Sequence, residues 1–392
     1  MKFSWGYARF ISDFSQDYVA ARSLRCAAPL YPENPSTVVD GETTIEDIPN
    51  YHPPFNAILF LPFSYFPYKA AFKLWNLVNF ALYVFLIFLI LRNLNILDRT
   101  ILLQSSFLLL WYPFTTTVGL GQLSIVLSVL IIGAYFLIAR GRETAGAICL
   151  GLATMIKLFP GFLIFYFLLL RKRYGAIVML TTIAAGMLLT WMIVGSENFF
   201  VYFTQVIPAD NDLWVTFPLN ISLSGFLSLL LSDTVVGGGI WGTPLFNLGK
   251  LGRHIAAAIP LILSIPVVVL LFREMGKKRD AESLFALLLL TMLLVSPLTW
   301  WHMVIVTLIL FGIVLRDYRE GKSVPTFPAV IAALLLSLPF VQIIRLLVDW
   351  YHPNPVPWYA SLPAKSYLYG LIILWILFWK RMKGGFVHSS RG

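Results

Sequence analysis

Two carboxylates one helical turn apart, Asp13 and Asp17, stand in the run Ser12-Asp13-Phe14-Ser15-Gln16-Asp17-Tyr18. A carboxylate held at a membrane surface can take the proton of an attacking hydroxyl as a general base. Asp13 is the first candidate for that role and Asp17 the fallback. Asp13 also opens a helix-prone run through Arg22, so it suits a solvated N-cap. On residue types alone, the cap is the commoner reading. His302, in Ser296-Pro297-Leu298-Thr299-Trp300-Trp301-His302, falls at a turn between two apolar runs. It could contact a phosphate or shuttle a proton, whereas the tryptophans beside it need only an interfacial position. Lys157, between Ile156 and Leu158, sits at the tip of a tight pair of apolar runs. It either snorkels to water or meets a phosphate.

Weaker signals accompany these. Gly119-Leu120-Gly121-Gln122 and Pro218-Leu219-Asn220-Ile221-Ser222 lie at segment ends. Glycine there permits close backbone approach. Gln122 and Asn220 are neutral hydrogen-bonders suited to sugar hydroxyls, and equally to a loop or a cap. Tyr51-His52-Pro53-Pro54-Phe55 is an aromatic, proline-bearing lip that suits a sugar or an interfacial anchor. The sequence holds no phosphate-cradling P-loop, dinucleotide fingerprint or His/Cys metal spacing, so neither a metal nor a cofactor is expected. Two cysteines, Cys26 and Cys149, are too few for a disulfide framework.

The elements that must position these groups follow from composition. The chain is 58% hydrophobic and only 12% charged, where a soluble chain is about a quarter charged. Apolar runs fall near 69–91, 100–115, 119–139, 143–157, 158–170, 174–194, 253–272, 281–297, 299–316, 327–347 and 366–380. The expected fold class is therefore an all-α polytopic membrane protein with about eleven transmembrane helices. The formal net charge is +10, but the basic residues form short clusters between apolar runs. That pattern fits topology better than a nucleic-acid partner.

Six loops are basic, around Arg92, Arg140, Arg171, Lys277, Arg316 and Lys380. Cytoplasmic loops carry the Lys/Arg excess, which places these six inside. The chain then divides into an external loop 1–53, an N-terminal transmembrane core 54–194, an external loop 195–252, C-terminal transmembrane helices 253–383 and a cytoplasmic tail 384–392. A further external region is 348–365. The short apolar stretch 55–67 must begin and end outside, as a re-entrant or interfacial helix. An external N-terminal loop needs something to export it, which points to one missing helix before it and a total of twelve. The candidate groups gather on the non-cytoplasmic side, where a cavity lidded by 1–53 and 195–252 is expected.

The ordered motifs resemble glycosyltransferase family 87, membrane enzymes of the GT-C class that use a polyprenyl-phosphate sugar. Asp13-Phe14 through Tyr18, Ala20-Ala21 and Leu30-Tyr31 are similar to that family's first external loop with its essential aspartate. Pro53-Pro54, Pro62 and Leu74-Trp75 resemble its Pro-Pro/Leu-Trp block. Gly121-Gln122, Lys157 with Pro160, Asn220 with Ser222, and Ser296-Pro297 with Trp300 and His302 follow in order. The resemblance spans about 13–316; His52 stands where an aromatic is expected. It implies a GT-C-type bundle, a polyprenyl-phosphate donor carrying a hexose, mannose foremost, and a lipid or glycan acceptor. In that frame Asp13 is the base, with Asp17 behind it. His302 and Lys157 face the donor phosphate, and Gln122, Asn220, His52 and Tyr51 line the substrate site. The lipid bilayer of the cell membrane is the setting.

Two rival functions are weighed against this. A transporter or flippase for lipid-linked sugars wants ionisable groups at mid-membrane and repeated broken helices, and neither is evident. A non-catalytic scaffold has no need of an acidic loop, a lysine and a histidine on one side.

Overall fold

A computed structural model describes residues 13–32, 38–40, 43–45, 49–236, 239–277, 280–352 and 354–384. Much of the expected loop 1–53 and, apart from Gly384, all of the tail 384–392 lie outside the described residues. All eleven apolar runs of the sequence fall on helices. Among the described residues, five helices are long and apolar enough to cross a membrane: Tyr68–Asn93, Arg173–Trp214, Gly249–Met275, Trp301–Arg319 and Trp358–Met382. Two bent pairs, Arg99–Leu110 with Tyr112–Leu120 and Thr326–Leu335 with Phe340–Tyr351, raise the number to seven.

Four of the about eleven expected spans are corrected by length. Ser124–Ala139, Glu143–Ile156, Phe159–Leu169 and Ala281–Val295 are shorter. The 14 residues of Glu143–Ile156 rise about 21 Å at helical pitch, against a hydrocarbon core about 30 Å thick. The chain is a multi-pass helical membrane protein. Its outer surface agrees: Ile177, Leu180, Leu188 and Met192 on one long helix, and Leu261, Ile262 and Ile265 on another, are exposed. Apolar side chains facing outward in such number need lipid as their solvent.

The core forms around Ala281–Val295. Every residue from Ser283 to Val295 is buried, as its Leu-rich, all-round apolar sequence requires. It packs against Ser366–Met382 and Gly249–Lys277. Small residues bring other helices close. A Cβ on Gly146 would stand 2.9 Å from the Ala134 carbonyl oxygen, and one on Gly151 would overlap Thr182. Such contacts are the usual way apolar helices gain packing where lipid offers no hydrophobic drive.

An ion network ties the helix ends at one side. Asp317, fully buried, accepts hydrogen bonds from Lys322 Nζ (2.9 Å) and Arg381 Nε (2.8 Å). Arg316 reaches it too and binds Glu282 with two nitrogens. Three basic residues expected in cytoplasmic loops are thus held by acidic partners on neighbouring helices.

The stretch expected to be re-entrant is helical, as Pro54–Phe60 followed by a 3-10 turn, Leu61–Tyr65. The long helix from Arg173 breaks at Gly195 (φ 82°) and resumes through Tyr202–Val206 into Ile207–Trp214. The all-α expectation misses small strands in the loops. Thr234–Val236, Gly239–Thr243 and Val356–Pro357 form one sheet. Its parallel pairing of Gly242 with Val356 joins the two loops 195–252 and 348–365 that the charge pattern put on the same side.

Candidate active site

A cavity of about 660 Å³ opens among the ends of these helices. The helix Asp13–Arg25 supplies one wall. Its Phe14, Tyr18, Ala20 and Ala21 are buried, at spacings that put one stripe inward. Phe14 packs on Phe60, Tyr68 and Phe72. The Tyr18 hydroxyl donates to the Phe66 carbonyl (2.8 Å), and Arg25 donates to the Ser64 carbonyl (2.6 Å). This clamp against 60–72 fixes the helix and leaves Asp13 and Gln16 on the cavity wall. Gln16 braces the wall, donating to Asp13 Oδ1 (3.3 Å) and accepting from the Tyr51 backbone N–H (3.2 Å).

Asp17, buried one turn on, does not reach the cavity. Its Oδ1 lies 2.8 Å from His52 Nδ1, and the His52 ring lines the cavity instead. The segment carrying His52 is set by its own bonds. The His52 N–H donates to Asn50 Oδ1 (3.0 Å), its carbonyl accepts from the Tyr31 hydroxyl (2.7 Å), and Pro54 starts the next helix at N1. Proline is pre-organised for that position. Tyr51 lines the cavity alongside.

Lys157 ends the helix Glu143–Ile156 in an extended conformation (φ −145°, ψ 138°). Pro160 is the second residue of the following 3-10 turn, Phe159–Leu163, and has no N–H to bond back to Ile156, so the α-helix does not run on. The break turns the lysine into the cavity, where the charges of Asp13, Asp17 and Asp210 act on it. His302 is the second residue of another 3-10 turn, Trp301–Thr307, and also lines the cavity. Its Nδ1 is 2.6 Å from Ser124 Oγ. Trp301 beside it donates to Thr116 Oγ1 (3.1 Å), fixing the turn.

Electrostatics sort these groups. Burial pushes the Asp13 carboxyl above its ordinary value, and the neighbouring charge of Asp17 adds to this, while His52 and Lys157 pull it back. Burial opposes charge on His52, but the charge and hydrogen bond of Asp17 outweigh it and hold the imidazole above its usual value. Burial draws Lys157 down, against the pull of the three carboxylates. The result is a carboxylate of raised basicity beside an imidazole drawn toward its charged form and a lysine drawn away from it, perturbations common at catalytic sites.

A model of glycosyltransferase family 87 matches residues 50–297. The chain belongs to glycosyltransferase family 87. The family resemblance read from the ordered motifs is thereby borne out. The match takes in His52, Lys157, Gln122 and Asn220 and ends shortly before His302. Among curated proteins, the chain is similar to the polyprenol-phosphate-mannose-dependent alpha-(1-2)-phosphatidylinositol pentamannoside mannosyltransferase of Mycolicibacterium smegmatis, at 26% identity over 258 residues. The aligned part is 65% of this chain and 58% of that relative.

Within this family 87 chain, two more of the expected residues besides Asp17 do not line the cavity. Asn220, fully buried, donates to the Pro297 carbonyl (2.8 Å) and accepts from the backbone N–H groups of Ser222 (3.1 Å) and Thr299 (3.2 Å). It stitches the 218–222 segment to the turn before His302. Gln122 is buried, and its Oε1 has no hydrogen-bond partner among the described residues. Two charged residues absent from the sequence expectation do line the cavity: Asp210, on the helix after the Gly195 break, and Arg345, on Phe340–Tyr351. Asp210 sits in the polar run Asp210-Asn211-Asp212, where nothing in the sequence singles it out. Arg345 lies within an apolar run, where a charge is itself the signal.

Proposed function

We propose that this chain transfers a hexose, mannose foremost, from a polyprenyl-phosphate donor to a hydroxyl of a lipid or glycan acceptor, at the non-cytoplasmic face of the membrane. The observation that carries this reading is that Asp13, His52, Lys157 and His302 all face one cavity whose remaining walls are largely apolar. A charged headgroup with a hydrocarbon tail has that distribution of chemistry. Val341, Ile344 and Val348 recur along one face of a single helix and supply part of the apolar wall. The relative in Mycolicibacterium smegmatis, a polyprenol-phosphate-mannose-dependent mannosyltransferase, agrees in kind.

In this reading the chemistry is one displacement. Asp13 takes the proton of the acceptor hydroxyl as its oxygen bonds to the anomeric carbon. The bond from that carbon to the phosphate oxygen breaks, the configuration inverts, and polyprenyl phosphate leaves. Negative charge grows on the leaving phosphate. His52, kept cationic by Asp17, and Lys157 stabilise it, as preorganised charge does in a water-poor site. His302 donates to the same phosphate, its Nδ1 side occupied by Ser124. Gln122 and Asn220 act as positioning residues behind the wall, and Tyr51 as part of the sugar lip. The helices, short ones included, form a GT-C-type bundle in which the cavity meets the outer leaflet.

The test is sugar transfer by purified protein in nanodiscs, with radiolabelled polyprenyl-phosphate mannose, a membrane-lipid acceptor pool and Asp13→Asn in parallel. Transfer that vanishes in the variant is expected. Wild-type protein that neither transfers nor binds the donor overturns the reading.

A further inference from the structure

The helix Ile207–Trp214 turns one face to the cavity. Ile207, Asp210, Asn211 and Trp214 line it, at offsets of three, four and seven residues that fall on one helical face. This helix lies beyond the break at Gly195 (φ 82°) in the long element that starts at Arg173. The face carries a carboxylate and an indole one turn apart.

The two side chains are held differently from their neighbours. Asp17 is bonded to His52, and Asp212 to Arg253 at 2.7 Å. Among the described residues, no hydrogen bond or ion pair ends on the Asp210 carboxylate, though the charges of His52, Lys157 and Asp13 all act on it. Trp214 is fixed by rings set nearly perpendicular to it: Tyr51 at 6.1 Å, Phe217 at 4.8 Å and Trp300 at 5.9 Å between centroids. All three of these rings line the cavity too.

We propose that Asp210 and Trp214 form a sugar-ring subsite, in which the carboxylate accepts hydrogen bonds from two neighbouring ring hydroxyls and the indole covers the ring's apolar side. This rests on the mannosyl-transfer reading and adds a binding role that reading does not contain. A carboxylate only accepts hydrogen bonds, and its two oxygens can take two donors at once. An ionised Asp210 carboxylate is repelled by a phosphate, which offers it no donor. A diol does offer donors, and hydrogen bonds to an ionised acceptor are the stronger kind. The ring belongs to the donor hexose or to a glycosylated acceptor, and the two sources are separable by experiment.

Asp210→Asn keeps the shape of the side chain and replaces one acceptor oxygen with a donor group. Trp214→Leu removes the ring. Wild type and both variants are placed in nanodiscs, and three quantities are measured. They are affinity for radiolabelled polyprenyl-phosphate mannose, apparent KM for a membrane-lipid extract, and kcat. Loss of a charge-assisted hydrogen bond predicts a rise of roughly 10- to 100-fold in either the donor dissociation constant or the acceptor KM, with kcat changed by less than about threefold. Donor weakening assigns the ring to the donor; acceptor weakening assigns it to the acceptor. Unchanged donor affinity and acceptor KM in Asp210→Asn, beside an active wild type, overturns the subsite alone. An effect confined to kcat also overturns it. A wild type that neither binds the donor nor transfers sugar overturns the underlying reading, and the subsite falls with it.

Discussion

His52 Nδ1 and Asp17 Oδ1 lie 2.8 Å apart, with the Asp17 side chain almost wholly enclosed and the ring of His52 on the cavity wall. Burial alone keeps an imidazole neutral. The buried carboxylate reverses that and draws His52 toward its charged form, without itself lining the cavity.

Asp17→Asn therefore acts through His52. The His52 pKa is raised in the folded protein, so its contribution to stability is fully present below the unfolded value, about 6.5. That contribution is lost as pH rises through the folded value. In Asp17→Asn the charge and the strong acceptor are gone, burial dominates, and the His52 pKa drops. Transfer that depends on the imidazolium then fails at lower pH. The check is the pH profile of kcat/KM: the alkaline limb moves to lower pH in Asp17→Asn. An unmoved limb shows that His52 does not work as a cation.

Asp13→Asn separates catalysis from stability. Loss of a general base costs on the order of 10²- to 10⁴-fold in rate, read as kcat with donor affinity preserved. The sign for stability is the opposite. The Asp13 pKa is raised by burial, so the folded state binds the proton more tightly than the unfolded chain, and stability falls as pH rises from about 3.9 through the raised value. Above that value the full cost remains. Asparagine carries no such cost, so the variant's thermal midpoint at pH 7 is equal to or above that of the wild type. A clear drop in midpoint with the rate loss indicates a structural role for Asp13.

Much of this site was readable from residue types because charge is rare in the chain. His52, Lys157 and His302 each interrupt or border an apolar run, where an ionisable group is costly enough to be noticed, whereas Asp13 lies in a polar loop and its residue type alone suited a helix cap as well. Asn220 and Gln122 met the same criterion of polarity near a segment end. They turned to the backbone or behind the wall, because a neutral amide satisfies buried N–H and C=O groups as readily as it meets a ligand. Asp210 was hidden by its neighbours: three polar residues in a row look solvated, and only the cavity's position against the helix Ile207–Trp214 shows which of them face inward. Helix existence was legible in all eleven runs, whereas span length was not. Leu-rich sequences such as 281–295 read alike whether they cross the bilayer or fill the centre of a bundle.

Asp317→Ala tests what holds the far end of the bundle. Asp317 is fully buried and bonded to Arg316, Lys322 and Arg381. Its removal leaves guanidinium groups partly enclosed with fewer acceptors. Breaking a buried pair from one side costs on the order of 3–5 kcal/mol, measured as unfolding stability in detergent. Glu282 still holds Arg316 and Arg381, so a loss at the lower end is expected. The Asp317 network is remote from the residues lining the cavity, so kcat per folded molecule stays within about threefold of wild type. This rests on the rule that well-separated sites act independently.

Gly121→Ala tests whether the base is placed by backbone contact. Gly121 has φ +66°, a conformation that strains any residue with a Cβ. A Cβ there would stand 2.6 Å from Phe14 Cβ and 3.0 Å from the Phe72 ring. Phe14 adjoins Asp13 on the same helix, and the Gly121 carbonyl accepts from Trp75 Nε1 at 2.7 Å, which prevents the loop from swinging away. The added methyl therefore pushes the helix Asp13–Arg25 rather than the loop. A general base displaced by about 1 Å loses on the order of 100-fold in rate, although no chemical group of the site has been altered. The expected result is a kcat near that of a damaged base, with the pH of the acid limb little changed because the charges around Asp13 remain. Gly121→Ala with full kcat and lowered stability alone shows that the contact supports the fold and leaves the position of Asp13 to the clamp formed by Tyr18 and Arg25.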